Sequence, residues 1–473
     1  MALFNPEDRR PVHFVGIGGA GMSALALIAC HRGITVTGCD ADPAGANDLA
    51  ALGVPVEQGH SAAHVDGARA VVHTAAVPSD HPELARARAL GVPVVPRKVA
   101  LAELVAGART LAVSGTHGKT TTTVMATEVL AALGQEPTGI AGGRVAAWGG
   151  NARLAGKPAG SRGPAVDPLF VVEADEYDRA FLALEPTVAI VNNVEPDHLE
   201  CYGSVAALED AFTEFAGRAE AAFLGADDAG ARKVGARLAG SVNTRAVSFG
   251  LAPDAGIRIY DVRQNAEGTA ATVRMPDRAP LALQLTVPGL HNLRNAVGAL
   301  AAALHMAPGA EPEPALDALR GFRGVGRRFE RLGEFGGVAL VDDYAHHPSE
   351  LAATLAAARQ AFPGRRLVAV FQPHLYSRTA QHGAAMGEAL ARADVVIVTE
   401  IYAAREQPIA GVSGRDVARA AAKAGAAVEF AADRDTLGRV VRDALRPGDV
   451  VLILGAGDIT RVGPELVRWL QAA

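Results

Sequence analysis

The residues Gly115-Thr116-His117-Gly118-Lys119-Thr120 bring two glycines, an ammonium and hydroxyls together within six positions. That combination suits a polyphosphate. Glycines let successive backbone N–H groups turn toward one anion, and a helix start adds a favourable field. Lys119 would meet the terminal phosphates and Thr120 a Mg²⁺ ion, with Thr121 beside it. Val113 stands where the full Walker pattern has its first glycine, so the loop is a shortened form. Lysine is otherwise rare, at Lys98, Lys157, Lys233 and Lys423. A chance surface lysine inside the turn is correspondingly less expected.

Other groups flank this turn along the chain. Gly16-Ile17-Gly18-Gly19-Ala20-Gly21 fits G-x-G-x-x-G, and Asp40 ends the strand that follows. A diphosphate at the helix start and an acid on a ribose would explain both. Alone this loop reads as a nicotinamide site, but other nucleotides use such loops and no hydride-transfer acid or base is evident downstream. Glu173-Ala174-Asp175-Glu176-Tyr177-Asp178 has four acids in six residues, either a Mg²⁺ site or a solvated acidic loop. Asn192-Asn193-Val194-Glu195-Pro196-Asp197-His198 follows another strand. A lone histidine is usually structural, though its acidic neighbours at a strand end favour a role here. Asn292 and Asn295 share a helical face, where they could pair with a purine edge or cap the helix.

Arg327-Arg328-Phe329-Glu330, Asp342-Asp343-Tyr344-Ala345-His346-His347-Pro348 and Phe371-Gln372-Pro373-His374-Leu375-Tyr376-Ser377-Arg378-Thr379 complete the set. The last two follow strands, where an open sheet places ligands. Neither has the spacing of a structural zinc site.

Positioning these residues requires strands that end beneath them. Apolar runs at 12–15, 35–38 and 70–74 alternate with a helix over 21–31, a βαβ rhythm that predicts a parallel sheet. A second block has strands at 110–113, 168–172 and 188–191, an irregular loop or hairpin over 141–168, edge strands over 257–288 and a helix over 291–304. A third has strands at 338–341, 367–371, 395–398 and 450–454. The predicted fold class is α/β with three domains: 1–107, 108–320 and 321–473. A hinge near Gly321-Phe322-Arg323-Gly324 would bring the second and third together.

The composition agrees. The chain has 473 residues, 49% apolar and 20% charged, with a net charge of −6. Nothing argues for nucleic acid or an anionic membrane. No run approaches the ~18 apolar residues of a membrane helix. The charged start is not a signal peptide. Cys30, Cys39 and Cys201 read as reduced thiols of a cytoplasmic protein.

Together the motifs resemble the Mur ligases, ATP-dependent amide-bond enzymes of peptidoglycan synthesis, over nearly the whole chain. The resemblance implies a Rossmann-like domain for a UDP sugar, a central P-loop ATPase and a C-terminal Rossmann-like domain. The first glycine loop, with Gly16, Gly18, Gly19, Gly21, Met22, Ser23 and Asp40, then holds UDP. The alanine-adding branch is the nearest, which implies L-alanine and UDP-N-acetylmuramate as substrates, ATP and Mg²⁺ as cofactors, and an acyl phosphate on the lactyl carboxylate. By resemblance, Gly115, Thr116, His117, Gly118, Lys119, Thr120 and Thr121 hold phosphates. Thr120 takes one Mg²⁺, and Glu173 and His198 a second. Asn292 and Asn295 contact adenine, and Arg327 reaches ATP. His346, His374, Tyr376 and Arg378 face the amino acid and acyl phosphate, His346 and Arg378 as catalytic residues. The expected state is a monomer or weak homodimer.

Sister ligases carry a carbamylated lysine some fifteen residues past the histidine. Here Glu209-Asp210-Ala211-Phe212-Thr213-Glu214-Phe215 has none, in keeping with the alanine branch. Asp175-Glu176-Tyr177-Asp178 also looks like the recycling ligase that attaches a ready-made tripeptide to the same sugar. An NAD-dependent oxidoreductase and a nucleotide-switched binding module are the readings from other classes.

Overall fold

The computed structural model describes residues 3–156, 169–404 and 406–472. The first sheet is parallel and has five strands: β1 (Val12–Val15), β2 (Val36–Asp40), β3 (Val56–Gln58), β4 (Ala70–His73) and β5 (Val94–Pro96), in the order β3-β2-β1-β4-β5. All four residues of β1 are buried, as expected for a parallel strand covered on both faces. Val12 and Phe14 pack with Met22, Leu25 and Ile28 of the helix Ala20–His31. Val15 faces the other way, toward Val71 and Leu84.

The second sheet has ten strands: β6 (Arg109–Ser114), β7 (Thr138–Val145), β8 (Gly150–Arg153), β9 (Leu169–Glu173), β10 (Val188–Val191), β11 (Ala221–Gly225), β12 (Arg245–Gly250), β13 (Ile257–Asn265), β14 (Gly268–Arg274) and β15 (Leu281–Leu285). Their order is β15-β14-β13-β12-β11-β10-β6-β9-β7-β8. The chain leaves β6 for one side of the sheet and returns from β10 onward to the other. The turn after β6 therefore sits at a topological switch point, where open α/β sheets bind ligands. The expected hairpin is the antiparallel pair β7–β8, and the expected edge strands are β13 to β15. The rest of the segment expected as a loop, 157–168, lies outside the described residues.

The third sheet holds β16 (Glu330–Phe335), β17 (Val338–Asp343), β18 (Leu367–Phe371), β19 (Val395–Thr399), β20 (Ala427–Ala431) and β21 (Val450–Leu454) in the order β16-β17-β21-β18-β19-β20. Only β16, on the edge, runs antiparallel to its neighbour.

Contacts divide the chain into two compact units. One comprises Met1–Val262, Ala271–Gln284 and Arg294–Phe322; the other comprises Arg263–Ala270, Leu285–Leu293 and Arg323–Ala473. The first two sheets share one unit because the helix Ala20–His31 packs on β7 and β8. Asn151 Nδ2 of β8 donates to Ser23 Oγ at 3.2 Å in that contact. No helix among the described residues is long and apolar enough to cross a membrane.

Candidate active site

The glycine turn leaves β6 between two strands in register with it. Val113 pairs with Glu173 of β9, and Ser114 with Val191 of β10. Gly118 caps the helix Lys119–Ala132 at φ 80°, a left-handed conformation that a side chain would resist. A Cβ there would also lie 2.6 Å from Asn295 Oδ1. The loop after β10 laces the turn from beside it. Asn193 Oδ1 accepts from the His117 N–H at 2.7 Å, and Thr116 Oγ1 accepts from the Glu195 N–H at 2.8 Å. Asn192 Nδ2 donates to Thr122 Oγ1 at 3.0 Å. Thr120 and Thr121 are buried at the helix start.

Lys119 Nζ donates to the Gly115 carbonyl at 2.8 Å and to both oxygens of Glu176 at 2.8 Å. Burial works against its charge, but the carboxylates of Glu176, Asp175 and Glu173 outweigh that and hold the ammonium above the usual lysine range. Glu176, itself 2% exposed, has no role of its own in the sequence pattern. Nothing in the spacing distinguishes it from the other three acids. Glu173 ends β9, with Oε2 accepting from the Gly142 N–H at 2.6 Å. His198 adopts φ 54° and packs edge-on against Tyr177, 5.1 Å between ring centroids.

A basic pair at the start of the helix Arg97–Val105, which follows β5, meets the same acidic stretch. Arg97 Nη2 lies 3.7 Å from Asp175, and Lys98 Nζ 2.8 Å from Asp178. Neither belongs to a motif, although lysine's scarcity singles out Lys98.

The first glycine loop follows β1 at that sheet's switch point. Gly16, Gly18, Gly19 and Gly21 surround the start of the helix Ala20–His31, with Gly19 as its cap. The Asp40 carboxylate accepts from the Gly18 N–H at 2.9 Å and the Asp42 N–H at 3.0 Å. It shapes the loop. The side chains of Met22 and Ser23 are buried, Met22 among core residues and Ser23 against Asn151.

The remaining residues belong to the second unit, except Asn295. Asn292 Nδ2 donates to the Pro288 carbonyl at 2.7 Å, which ties the helix start to the residues that precede it. Arg327 Nη2 donates to the Gly455 carbonyl at 2.6 Å, and its guanidinium lies 4.8 Å over the Tyr344 ring. His346 and His374 have ring centroids 6.1 Å apart, and Arg378 Nη1 is 3.3 Å from His374 Nδ1. Tyr376 is half-buried at the start of the helix Tyr376–Leu390. Three of the four residues expected on the amino-acid side therefore cluster at the ends of β17 and β18. Asp343 is buried beside them. Burial raises its carboxyl to about 6, and it accepts from the Phe329 and Ala345 N–H groups at 2.7 and 2.8 Å.

Comparison with known proteins extends this picture. Residues 11–109 match the Mur ligase family catalytic domain, 113–303 the Mur ligase middle domain, and 327–457 the Mur ligase glutamate ligase domain. The UDP-N-acetylmuramate–L-alanine ligase of Bordetella petrii is 46% identical, over 97% of this chain and 98% of the relative. That of a Mycobacterium species (strain JLS) is 44% identical over 99% and 96%. Among solved structures, the UDP-N-acetylmuramate–alanine ligase of Thermotoga maritima superposes with a TM-score of 0.81 at 31% identity, covering 98% of this chain and 99% of its own. A murein peptide ligase from Psychrobacter arcticus reaches 0.72 at 25% identity, over 98% and 99%. With three sheets in this order, a shortened phosphate turn beside the acid-bearing strand β9, and relatives alike over nearly their whole length, the chain belongs to the Mur ligase family.

Proposed function

We propose that this chain joins L-alanine to the lactyl carboxylate of UDP-N-acetylmuramate, with ATP converted to ADP and phosphate. The observation that carries the reading is Lys119 at the glycine turn, flanked in register by Glu173 and seated among carboxylates, in a chain alike end to end to alanine-adding ligases.

A free carboxylate is a poor electrophile, so it must be activated. Its oxygen attacks the γ-phosphorus, the bond to the β–γ bridging oxygen breaks, and ADP departs. The amine of L-alanine then adds to the acyl carbon, the C–O bond to phosphate breaks, and the amine proton leaves. Lys119 opposes the charge that builds on the transferring group, as do the N–H groups of the turn. Thr120 and Glu173 fit Mg²⁺: a hydroxyl and a carboxylate are hard donors, and the Gly142 N–H fixes the carboxylate's orientation; His198 joins them on the family resemblance alone. When bound there, Mg²⁺ supplies positive charge to the transferring phosphoryl oxygens. Arg378, His374 and His346 form a cationic and hydrogen-bonding group suited to an acyl phosphate. The Gly16 loop holds the sugar's diphosphate. We take the reaction to be cytoplasmic, where ATP is.

The test is phosphate release by purified protein given ATP, Mg²⁺, UDP-N-acetylmuramate and single amino acids. Release with L-alanine, and less with glycine or L-serine, is expected. Release only with a tripeptide would assign the recycling reaction instead. ATP binding without release for any acceptor would leave a nucleotide-binding module.

A further inference from the structure

Four side chains whose metal-binding atoms all lie within reach of one another converge on the first sheet, on the face away from the helix Ala20–His31, with His60 Nδ1 beside them at 3.3 Å from Cys39 Sγ. His13 projects from β1 and Cys39 from β2. Glu83 comes from the first turn of the helix Pro82–Ala89, and His64 from the short helical turn Ala62–Val65. One donor atom from each lies within 4.8 Å of all the others. Glu83 is at the centre and has no exposure. Cys39 Sγ is 3.1 and 3.2 Å from its two oxygens, His64 Nδ1 3.0 Å and His13 Nε2 3.6 Å.

Two features go beyond a hydrogen-bonded carboxylate. The His13 ring is pinned through Nδ1, 3.0 Å from Thr37 Oγ1, which turns Nε2 into the cluster. That nitrogen is buried, on a residue 2% exposed, and has no hydrogen-bond partner there. A ligating histidine is typically held this way, through its other nitrogen. The donor set is also distinctive. One sulfur, two imidazole nitrogens and one carboxylate suit zinc, whereas magnesium prefers oxygen alone. A tetrahedral zinc with bonds of about 2.0 to 2.3 Å needs donors roughly 3.3 to 3.8 Å apart. The contacts to Glu83 are already close to that spacing.

We propose that His13, Cys39, His64 and Glu83 form a structural zinc site distinct from the nucleotide's cation. On binding, the Cys39 S–H proton passes to solvent and a Zn–S bond forms. Thiolate and carboxylate then cancel the ion's two charges, so the filled site is neutral inside the fold. It ties β1, β2, the 59–65 segment and the helix Pro82–Ala89 together. Cys39 adjoins Asp40, whose carboxylate holds Gly18, so the metal would brace the first glycine loop.

Full-length protein stripped with a chelator is titrated with Zn²⁺ against a chromophoric competitor, with saturating Mg²⁺ to fill the oxygen-donor site. One zinc per chain is expected. Co²⁺ in its place should give thiolate-to-metal charge-transfer absorption and the intense visible bands of a four-coordinate ion. Cys39→Ser should remove the charge-transfer band. His64→Ala, at a partly exposed ring and so least disruptive to folding, should weaken zinc at least fivefold. A smaller drop for His64→Ala, or wild-type protein without the charge-transfer band, overturns the assignment.

Discussion

Lys119 is held by a carboxylate at the place where a phosphate is to bind, and that pairing has a measurable cost. Removing one member of a buried ion pair leaves the other charged and uncompensated, typically a loss of about 3–5 kcal/mol. Glu176→Gln should therefore lower stability to urea by an amount of that order. The loss should shrink when an ATP analogue supplies the missing negative charge. An equal loss with and without the analogue would show that Lys119 does not face nucleotide. Asp343 supplies a pH signature. Its carboxyl is raised from 3.8 to about 6 by burial. Its contribution to stability is thus fully present below the unfolded value and is lost as pH rises through about 6, a change of about 3 kcal/mol. The stability of Asp343→Asn relative to the parent should rise between pH 4 and 7, and a flat difference would refute the burial argument. Residue types and spacing made Lys119, Glu173 and the glycine loops legible. They could not show that Asp40 and Asn292 bond to their own neighbourhoods, because those partners are backbone groups, which every sequence contains. Nor could they show the His13, Cys39, His64 and Glu83 cluster, whose members come from four elements spread over seventy positions.

At the scale of elements, the acid loop is positioned from beneath. The segment Tyr177–Ala183 follows it and buries Phe181 against Phe212 and Phe215, with ring centroids 5.0 Å apart in each pair. Asp178 and Arg179 hold left-handed backbone at φ 53° and 51° in this segment, a conformation that persists only where packing enforces it. Phe181→Ala should cost about 3–5 kcal/mol in urea unfolding. It should also raise the KM for ATP through the displaced acids. A stability loss with unaltered KM would mean the loop keeps its shape unaided. The long buried strands were legible because continuous apolar runs bounded by glycines have few other readings. β3, β5, β11, β12, β16 and β20 were not read. β3 and β5 have three residues each, and β20 alternates exposure at a sheet edge, so their apolar signal is diluted.

For the whole molecule, three sheets followed from three stretches of strand and helix, but the gathering of the first two into one unit did not. Side-chain contacts such as Asn151 to Ser23 create that unit, and no periodicity encodes them. Arg97 and Lys98 reinforce it by reaching from the helix that follows the first sheet to the acid loop of the second. On the proposed function, this fusion makes the protein a gauge. The cradle for the sugar's diphosphate and the cradle for the nucleotide's tail are set at a fixed span, so reach decides which acids are activated. A nucleotide sugar whose carboxylate hangs on a shorter arm would dock at one end and never arrive at the other.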